Sequence, residues 1–585
     1  MEEKLQREPL ETPLQRKIKR QEKIEYGLTA VLVILGVFLL TIVLFFVLRP
    51  YIGVYREGTV ARTFTALAIG LIGAFAAYMA ITKRLSPAMI ILLLLVVGYI
   101  LRVGFVLATP TSKGQHDTFS KNFNGHEAYA WTIFDTGKLP IKNDYQFYHP
   151  PLNALVQAGF MRYVSGLVQS LTNIFGLGEY FPKAFSYGKL SYLDENRWFL
   201  FSSCQILSVT YSFITAVMLV KIIKLFPFSD KTKILLSAIV IFYPRHIQFA
   251  GMLNNDPLAY MLGVCAMYCA LKWQKGGKSL VWILLCALAV GLGMMAKLSS
   301  ATVCLPIAGV FVYEFIRTLG KKEGALPFSK MLMQYGLFLL ICAPIGLWFQ
   351  VYANVRFDQE FGFVFSNLNK ALSTKRHSFF ERFFIAFDFN EYFGSLYCVP
   401  FSTMNSSRTE YLVDGNYNLF AYSLKSSIFG EFSYKSGVVS PAIFGYTVVD
   451  GLAVLSLVIA YLSAAFLAIS LIWAIVKCLQ TRGKAYSLFR RADLAVSDLI
   501  FVFLLVQSQA LSEMYFYMQM PYACTMDFRY ILPIILGIAL TLGYTHKILA
   551  VEGGKFSKII NRLTGISVIC FLTISSLFYC LAAVA

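Results

Sequence analysis

The sequence predicts an all-α polytopic membrane protein with about 13 transmembrane helices, each near the ~20 apolar residues that cross a bilayer core. Three observations carry that prediction. The 585 residues are 57% hydrophobic and only 14% charged, with a mean hydropathy of +0.61. Soluble domains carry about 25% charged residues, which this chain lacks. The apolar residues gather in runs of spanning length, and the cations gather between the runs. This composition excludes a soluble enzyme, a disordered chain and a disulfide scaffold. The net charge of +20 is no nucleic-acid signal either, because that reading needs a polar chain with clustered surface cations.

The runs lie near residues 27–48, 61–81, 87–108, 199–220, 234–252, 257–273, 279–296, 299–316, 331–352, 448–476, 496–513, 530–546 and 564–584. A polar arm with Arg16, Lys17, Lys19, Arg20 and Lys23 precedes the first. That run is too long for a signal-peptide core and lacks a small-residue cleavage site, so it reads as a retained anchor. With the N-terminus in the cytoplasm and the spans alternating, the inner loops hold Lys83 and Arg84, Lys221 to Lys233, Lys272 to Lys278, and Arg317 to Lys322. Further on they hold Lys477 to Arg491 and Lys547 to Arg562. Every short basic loop falls on one side, as the positive-inside rule requires.

Two long connections, 109–198 and 353–447, then lie outside. Residues 152–175 are apolar enough to suggest a further span, but counting one would turn every later basic loop outward. An amphipathic helix on the outer interface fits instead. The eleven cysteines fall mostly within spans and include no CxxC pair, so neither a metal ribbon nor a redox pair is indicated. No internal repeat is evident.

The outer ends hold the chemistry. The stretch Gly114–Leu152 contains three of the six histidines, His116, His126 and His149, with Asp117, Glu127, Asp135 and Asp144. Asn254, Asn255 and Asp256 form a short outer turn after Arg245 and His246; Lys297 closes the seventh span; Asp527 and Arg529 open the twelfth; Arg102 lies near the end of the third. Each alone reads as a helix cap or a snorkelling side chain. Together they form a one-sided collection of carboxylates and cations, and ionisable groups at membrane depth are retained for a purpose.

The same residues carry a resemblance. An Asp leaving the membrane, then HEAYAWTIFDTGKLP and YHPPL, and later NNDPLAY, GLGMMAKLSS and FRYILP, resemble the GT-C glycosyltransferases of the protein O-mannosyltransferase and aminoarabinose-transferase type. The likeness is good over 87–352 and one of layout beyond. It implies a GT-C fold with amphipathic helices in large exoplasmic loops. It also implies transfer of a sugar, with inversion, from a polyprenyl-phosphate donor to an acceptor hydroxyl on a lipid, glycan or protein. The expected setting is the exoplasmic face of a bacterial plasma membrane. Four regions follow: 1–86, the arm and two helices; 87–352, the catalytic core with loop 109–198; 353–447, an outer loop suited to an acceptor-binding lid; and 448–585, the C-terminal helices.

Within that resemblance Asp117 matches the acidic residue of the first outer loop, although an Asp-Glu pair is common there and this chain has His116-Asp117-Thr118. Glu127 is therefore the rival base. A carboxylate that accepts the acceptor's proton makes a hydroxyl nucleophilic, and Arg or Lys in a dry site stabilises the departing phosphate. Lys297 and Arg529 are the first candidates for the phosphate, with Arg245 and Arg102 behind them. His116, His126, His149, Tyr148, Asn255 and Asp256 are candidates for substrate binding.

Other readings fit less well. HEAYA has Ala130 where a zincin needs its second histidine. A divalent metal held by some of His116, Asp117, His126, Glu127 and His149 is an open but less favoured reading, because their spacing matches no standard ligand set; no cofactor is expected. GGKS at 276–279 lacks the first P-loop glycine. The competing class is a multi-pass transporter or lipid flippase, which should place its charges at mid-bilayer on broken, repeated helices; here they sit at outer ends.

Overall fold

The computed structural model describes residues 32–49, 58–176, 180–363, 373–394, 396–398, 416–436, 447–484 and 487–584. The basic arm and parts of the 353–447 loop lie outside the described residues. The chain is an integral multi-pass membrane protein built almost wholly of helices. They are α1 (Leu32–Arg49), α2 (Thr59–Ile81), α3 (Pro87–Ala108), α4 (His126–Thr136), α5 (Leu152–Phe175), α6 (Tyr180–Ala184), α7 (Glu195–Ser203) and α8 (Gln205–Lys224). Next come α9 (Asp230–Phe242), α10 (Pro244–Gln248), α11 (Asp256–Lys275), α12 (Leu280–Ala296), α13 (Cys304–Leu319) and α14 (Phe328–Phe357). The remainder are α15 (Phe379–Phe383), α16 (Phe389–Phe393), α17 (Leu419–Phe429), α18 (Val448–Gln480), α19 (Leu488–Arg491), α20 (Val496–Gln519), α21 (Ile534–Glu552) and α22 (Lys555–Leu581).

Ten helices are long and apolar enough to cross a membrane, or eleven if α9 and the segment Pro244–Gly251 form one bent span. The other two runs expected to span are helical as well. α12 is apolar but has only 17 residues, and α11 starts on Asp256 and ends on Lys272 and Lys275. Exposed Leu, Ile, Val and Phe line the outward faces of α1, α2 and α18, as spans facing hydrocarbon require.

α5 is the helix at the position where hydropathy alone suggests a further span. It is not among the candidate spans. Its buried residues, Asn153, Ala154, Gln157, Ala158, Met161 and Val164, recur at three- and four-residue intervals and form one stripe. That stripe packs on α4, α7 and α12.

Two local devices position the residues around the pocket. Tyr243 is extended before Pro244, whose ring and missing N–H end α9, and the chain bends by 49°. The bend turns Arg245 into the protein interior. The second device is a two-stranded sheet in which β1 (Tyr434–Ser436) pairs antiparallel with β2 (Ala582–Val584), Tyr434 opposite Val584. Arg62 Nε donates to the Ala582 carbonyl at 2.6 Å and its Nη2 to that of Ala108 at 3.3 Å. The end of α22, the second outer loop and the exit of α3 are thereby tied together.

Candidate active site

Asp117 owes its place to the start of α4. The first N–H groups of a helix have no intrahelical partner, and here His126 N donates to the Asp117 carbonyl at 3.4 Å and Glu127 N to that of Thr118 at 2.9 Å. The loop 117–125 therefore folds back on its own helix. Gly125 permits this, since a Cβ there would lie 2.8 Å from the Thr118 carbonyl oxygen.

A chain of alternating charges runs inward from that loop. Arg529 Nη1 donates to Asp117 Oδ2 at 2.9 Å and to Asp256 Oδ2 at 3.4 Å. Asp256 Oδ1 accepts from Lys297 Nζ. Asp527 Oδ2 lies 3.3 Å from Arg529 Nε and accepts from Arg245 Nη2. Asn254 Nδ2 adds a bond to Asp256 Oδ2 at 2.8 Å. The Tyr530 ring lies beneath both outer cations, 5.1 Å from Lys297 Nζ and 4.8 Å from the Arg529 guanidinium, and its hydroxyl accepts from Arg529 Nη2 at 2.9 Å. Cation–π contact thus fixes the two cations side by side.

This cluster borders a pocket of about 650 Å³. Of the residues expected from sequence, Asp117, His116, Tyr148, His149, Lys297 and Arg529 line it. Asp256 lies directly behind Lys297 and Arg529. His126 sits behind Asp117, with Nε2 4.0 Å from Asp117 Oδ2 and its ring stacked on His149 at 5.4 Å. His116 stacks on Phe432, and its Nε2 is 3.1 Å from the Glu431 carbonyl. Asn255 is buried at the start of α11, and neither of its side-chain polar atoms has a hydrogen-bond partner.

Three expected residues lie elsewhere. Glu127 points away from the pocket and forms a two-pronged pair with Arg197, at 2.5 and 3.0 Å. Arg197 in turn packs on the rings of Phe123 and Trp131. Arg102 is enclosed within α3's packing, where it donates to Ser212 Oγ and the Gly98 carbonyl and meets His246 Nδ1 at 3.1 Å. Arg245 is one carboxylate removed from the pocket, behind Asp527. Sequence reasoning also missed Tyr530, Gln115, Gln146, Arg197 and Glu431. Tyr530 adjoins Arg529 in the FRYILP motif and was legible there; Glu431 stands in a loop with no motif to mark it.

The electrostatics separate these groups. Burial pushes the Asp117 carboxyl up, but Arg529, with His126 and Lys297, overrides it and holds Asp117 well below the usual carboxylate range. Burial lowers His126 to about 4, against the pull of Asp117, and lowers His149 further with help from His126 and Lys297. Both imidazoles are neutral near pH 7. Burial and the nearby Asp527 push Glu431 up to about 7, against Arg529 and Arg245. Asp117 Oδ1 accepts no hydrogen bond from the described residues. The arrangement offers one carboxylate oxygen free to receive a proton, beside two cations that can receive an anion. Among the described residues no group of three or more His, Cys, Asp and Glu is arranged to hold a metal ion.

The family profile described as Dolichyl-phosphate-mannose-protein mannosyltransferase matches residues 156–358. The match covers about a third of the chain. The matched segment contains Asp256 and Lys297, while Asp117 and Arg529 lie outside it on either side. The chain is also similar to the crystal structure of ArnT from Cupriavidus metallidurans bound to undecaprenyl phosphate, at 14% identity and a TM-score of 0.30, over 78% of this chain and 77% of that one. No curated protein matches it.

Proposed function

We propose that this protein transfers a sugar from a polyprenyl-phosphate donor to an acceptor hydroxyl on the exoplasmic face, with inversion at the anomeric carbon. The observation that carries this reading is the contact of Asp117 with Arg529 at the rim of a pocket that Lys297 also lines. A general base and a phosphate site are there one hydrogen bond apart. The profile over 156–358, named for a dolichyl-phosphate-linked donor, supports the same donor class.

The donor phosphate is taken up by Lys297 and Arg529. It competes with Asp117 and Asp256 for those cations, and loss of Arg529 raises the proton affinity of Asp117. The acceptor oxygen then attacks the anomeric carbon from the face opposite the phosphate. Its proton passes to Asp117, the new carbon–oxygen bond forms, and the bond to the phosphate oxygen breaks with its electron pair. The released lipid phosphate carries the developing charge, which the two fixed cations stabilise in a water-poor pocket. Arg245 positions Arg529 through Asp527, and Asp256 orients Lys297. His149 and Tyr148 border the substrate.

The test is incubation of the purified membrane protein with radiolabelled polyprenyl-phosphate sugars and candidate lipid, glycan and peptide acceptors. Wild type should label one acceptor, and Asp117→Asn should lower the rate by at least about 100-fold, the low end for losing a general base. An Asp117→Asn variant that transfers at the wild-type rate would refute the assignment.

A further inference from the structure

We propose that Glu431 is the residue through which the second outer loop reads the donor sugar, its carboxyl group and the side-chain oxygens of Gln115 and Gln146 receiving hydroxyl donors from the ring. This rests on the polyprenyl-phosphate-sugar reading above and assigns a further part of the lining of the same pocket.

The backbone around Glu431 is built for one position. Gly430 has φ +63°, and a Cβ there would lie 2.1 Å from Arg245 Nη1 and 2.7 Å from Gln248 Oε1. Only glycine lets the chain turn this closely against the buried guanidinium. Three residues after Glu431, β1 begins its pairing with β2, and the Tyr434 hydroxyl donates back to the Phe429 carbonyl at 3.0 Å. The turn is held from both sides, and Glu431 is fully buried where it borders the pocket.

The carboxyl group is under-used in that position. Its Oε2 accepts from Gln115 Nε2 at 3.0 Å and its Oε1 from the Tyr422 hydroxyl at 3.4 Å. A carboxylate has about four acceptor sites. Among the described residues none of the ion pairs within 4.0 Å includes Glu431, unlike Asp117, Asp256 and Asp527. Gln115 Oε1 and Gln146 Oε1, also on the pocket wall, are buried without a hydrogen-bond partner among the described residues. Buried acceptors left unmatched are unfavourable, so this wall suits a ligand rich in donors. A phosphate offers acceptors and belongs with Lys297 and Arg529. A polyhydroxylated ring offers donors and belongs here.

The test compares two probes on the full-length protein in lipid nanodiscs: undecaprenyl phosphate alone, and undecaprenyl phosphate linked to mannose, glucose, galactose or arabinose. The sugar that wild type binds best and transfers is used throughout. Glu431→Gln should bind the bare lipid phosphate as wild type does and lose about tenfold in affinity for the sugar-linked form, the loss of one buried hydrogen bond to a carboxyl group. Unchanged affinity for both probes overturns the proposal. If Glu431→Gln loses both probes together, Gln146→Leu decides: a loss confined to the sugar-linked probe upholds the proposal, and no such loss overturns it. A wild type that transfers none of the sugars refutes the glycosyltransfer reading itself. A wild type that transfers, with both variants unaffected, refutes only the role of Glu431.

Discussion

The Asp117 carboxylate is paired with Arg529 at rest, and a carboxylate so held is a weak base. Its low proton affinity has a kinetic signature. In the free protein Asp117 stays ionised far into acid, so kcat/KM, which reports the free enzyme, should hold its value as pH falls. In the donor complex Arg529 is shared with phosphate, the depression relaxes, and kcat should fall at a higher pH. A pH–rate profile in proteoliposomes measures both, with Glu431→Gln run alongside because a carboxyl near 7 titrates in the same range. Lys297→Met should lower donor affinity about tenfold or more, as for loss of a charge-assisted bond. It should leave folding largely intact, because Asp256 keeps Arg529 at 3.4 Å. Glu127→Gln should lower the melting temperature, since it weakens the pair with Arg197, and leave sugar transfer by the folded protein largely unchanged. Sequence reading gathered Asp117, Lys297 and Arg529 as one set, and the three line one pocket. It could not separate Asp117 from Glu127, because both leave the same loop, and only the direction in which α4 faces decides which carboxylate meets the pocket.

Among elements, the bend after α9 and the short helical turn at Phe528–Ile531 matter most, because Arg245 and Asp527 join them. Both side chains are fully buried. Removing Arg245 leaves Asp527 only its 3.3 Å contact with Arg529; losing one partner of a buried pair costs up to about 3–5 kcal/mol, whereas removing both is milder. Arg245→Met should therefore lower thermal stability sharply in detergent, and Arg245→Met with Asp527→Asn should recover much of it. The double variant should still transfer slowly, since Arg529 loses the carboxylate that aims it. The short β1–β2 pairing was beyond sequence reading. Three residues in an aromatic loop and three following an apolar helix carry no alternation long enough to register as strands. α5 was legible only by combining hydropathy with the charge of loops far along the chain.

At the scale of the molecule, the two long connections meet over one pocket. Gln115 comes from the first and Glu431 from the second, and their 3.0 Å contact joins segments separated by most of the chain. Orientation is the remaining whole-molecule expectation. In intact cells a membrane-impermeant maleimide should label Lys142→Cys, whose side chain is exposed, and should spare Lys322→Cys, with wild-type labelling subtracted. Reversed labelling would turn the pocket to the cytoplasm and remove the exoplasmic reading.

The alternating charges beneath the pocket also bear on turnover. Arg245, Lys297 and Arg529 are each paired with Asp117, Asp256 or Asp527, so the cations of the resting site already have counter-charges. Donor binding is therefore an exchange of counter-ions more than a capture of an anion by bare cations. Affinity should depend weakly on ionic strength, because the displaced partners are attached carboxylates and not ions drawn from solution. The same carboxylates wait beside the cations after transfer and compete for them again, which favours departure of the spent lipid phosphate.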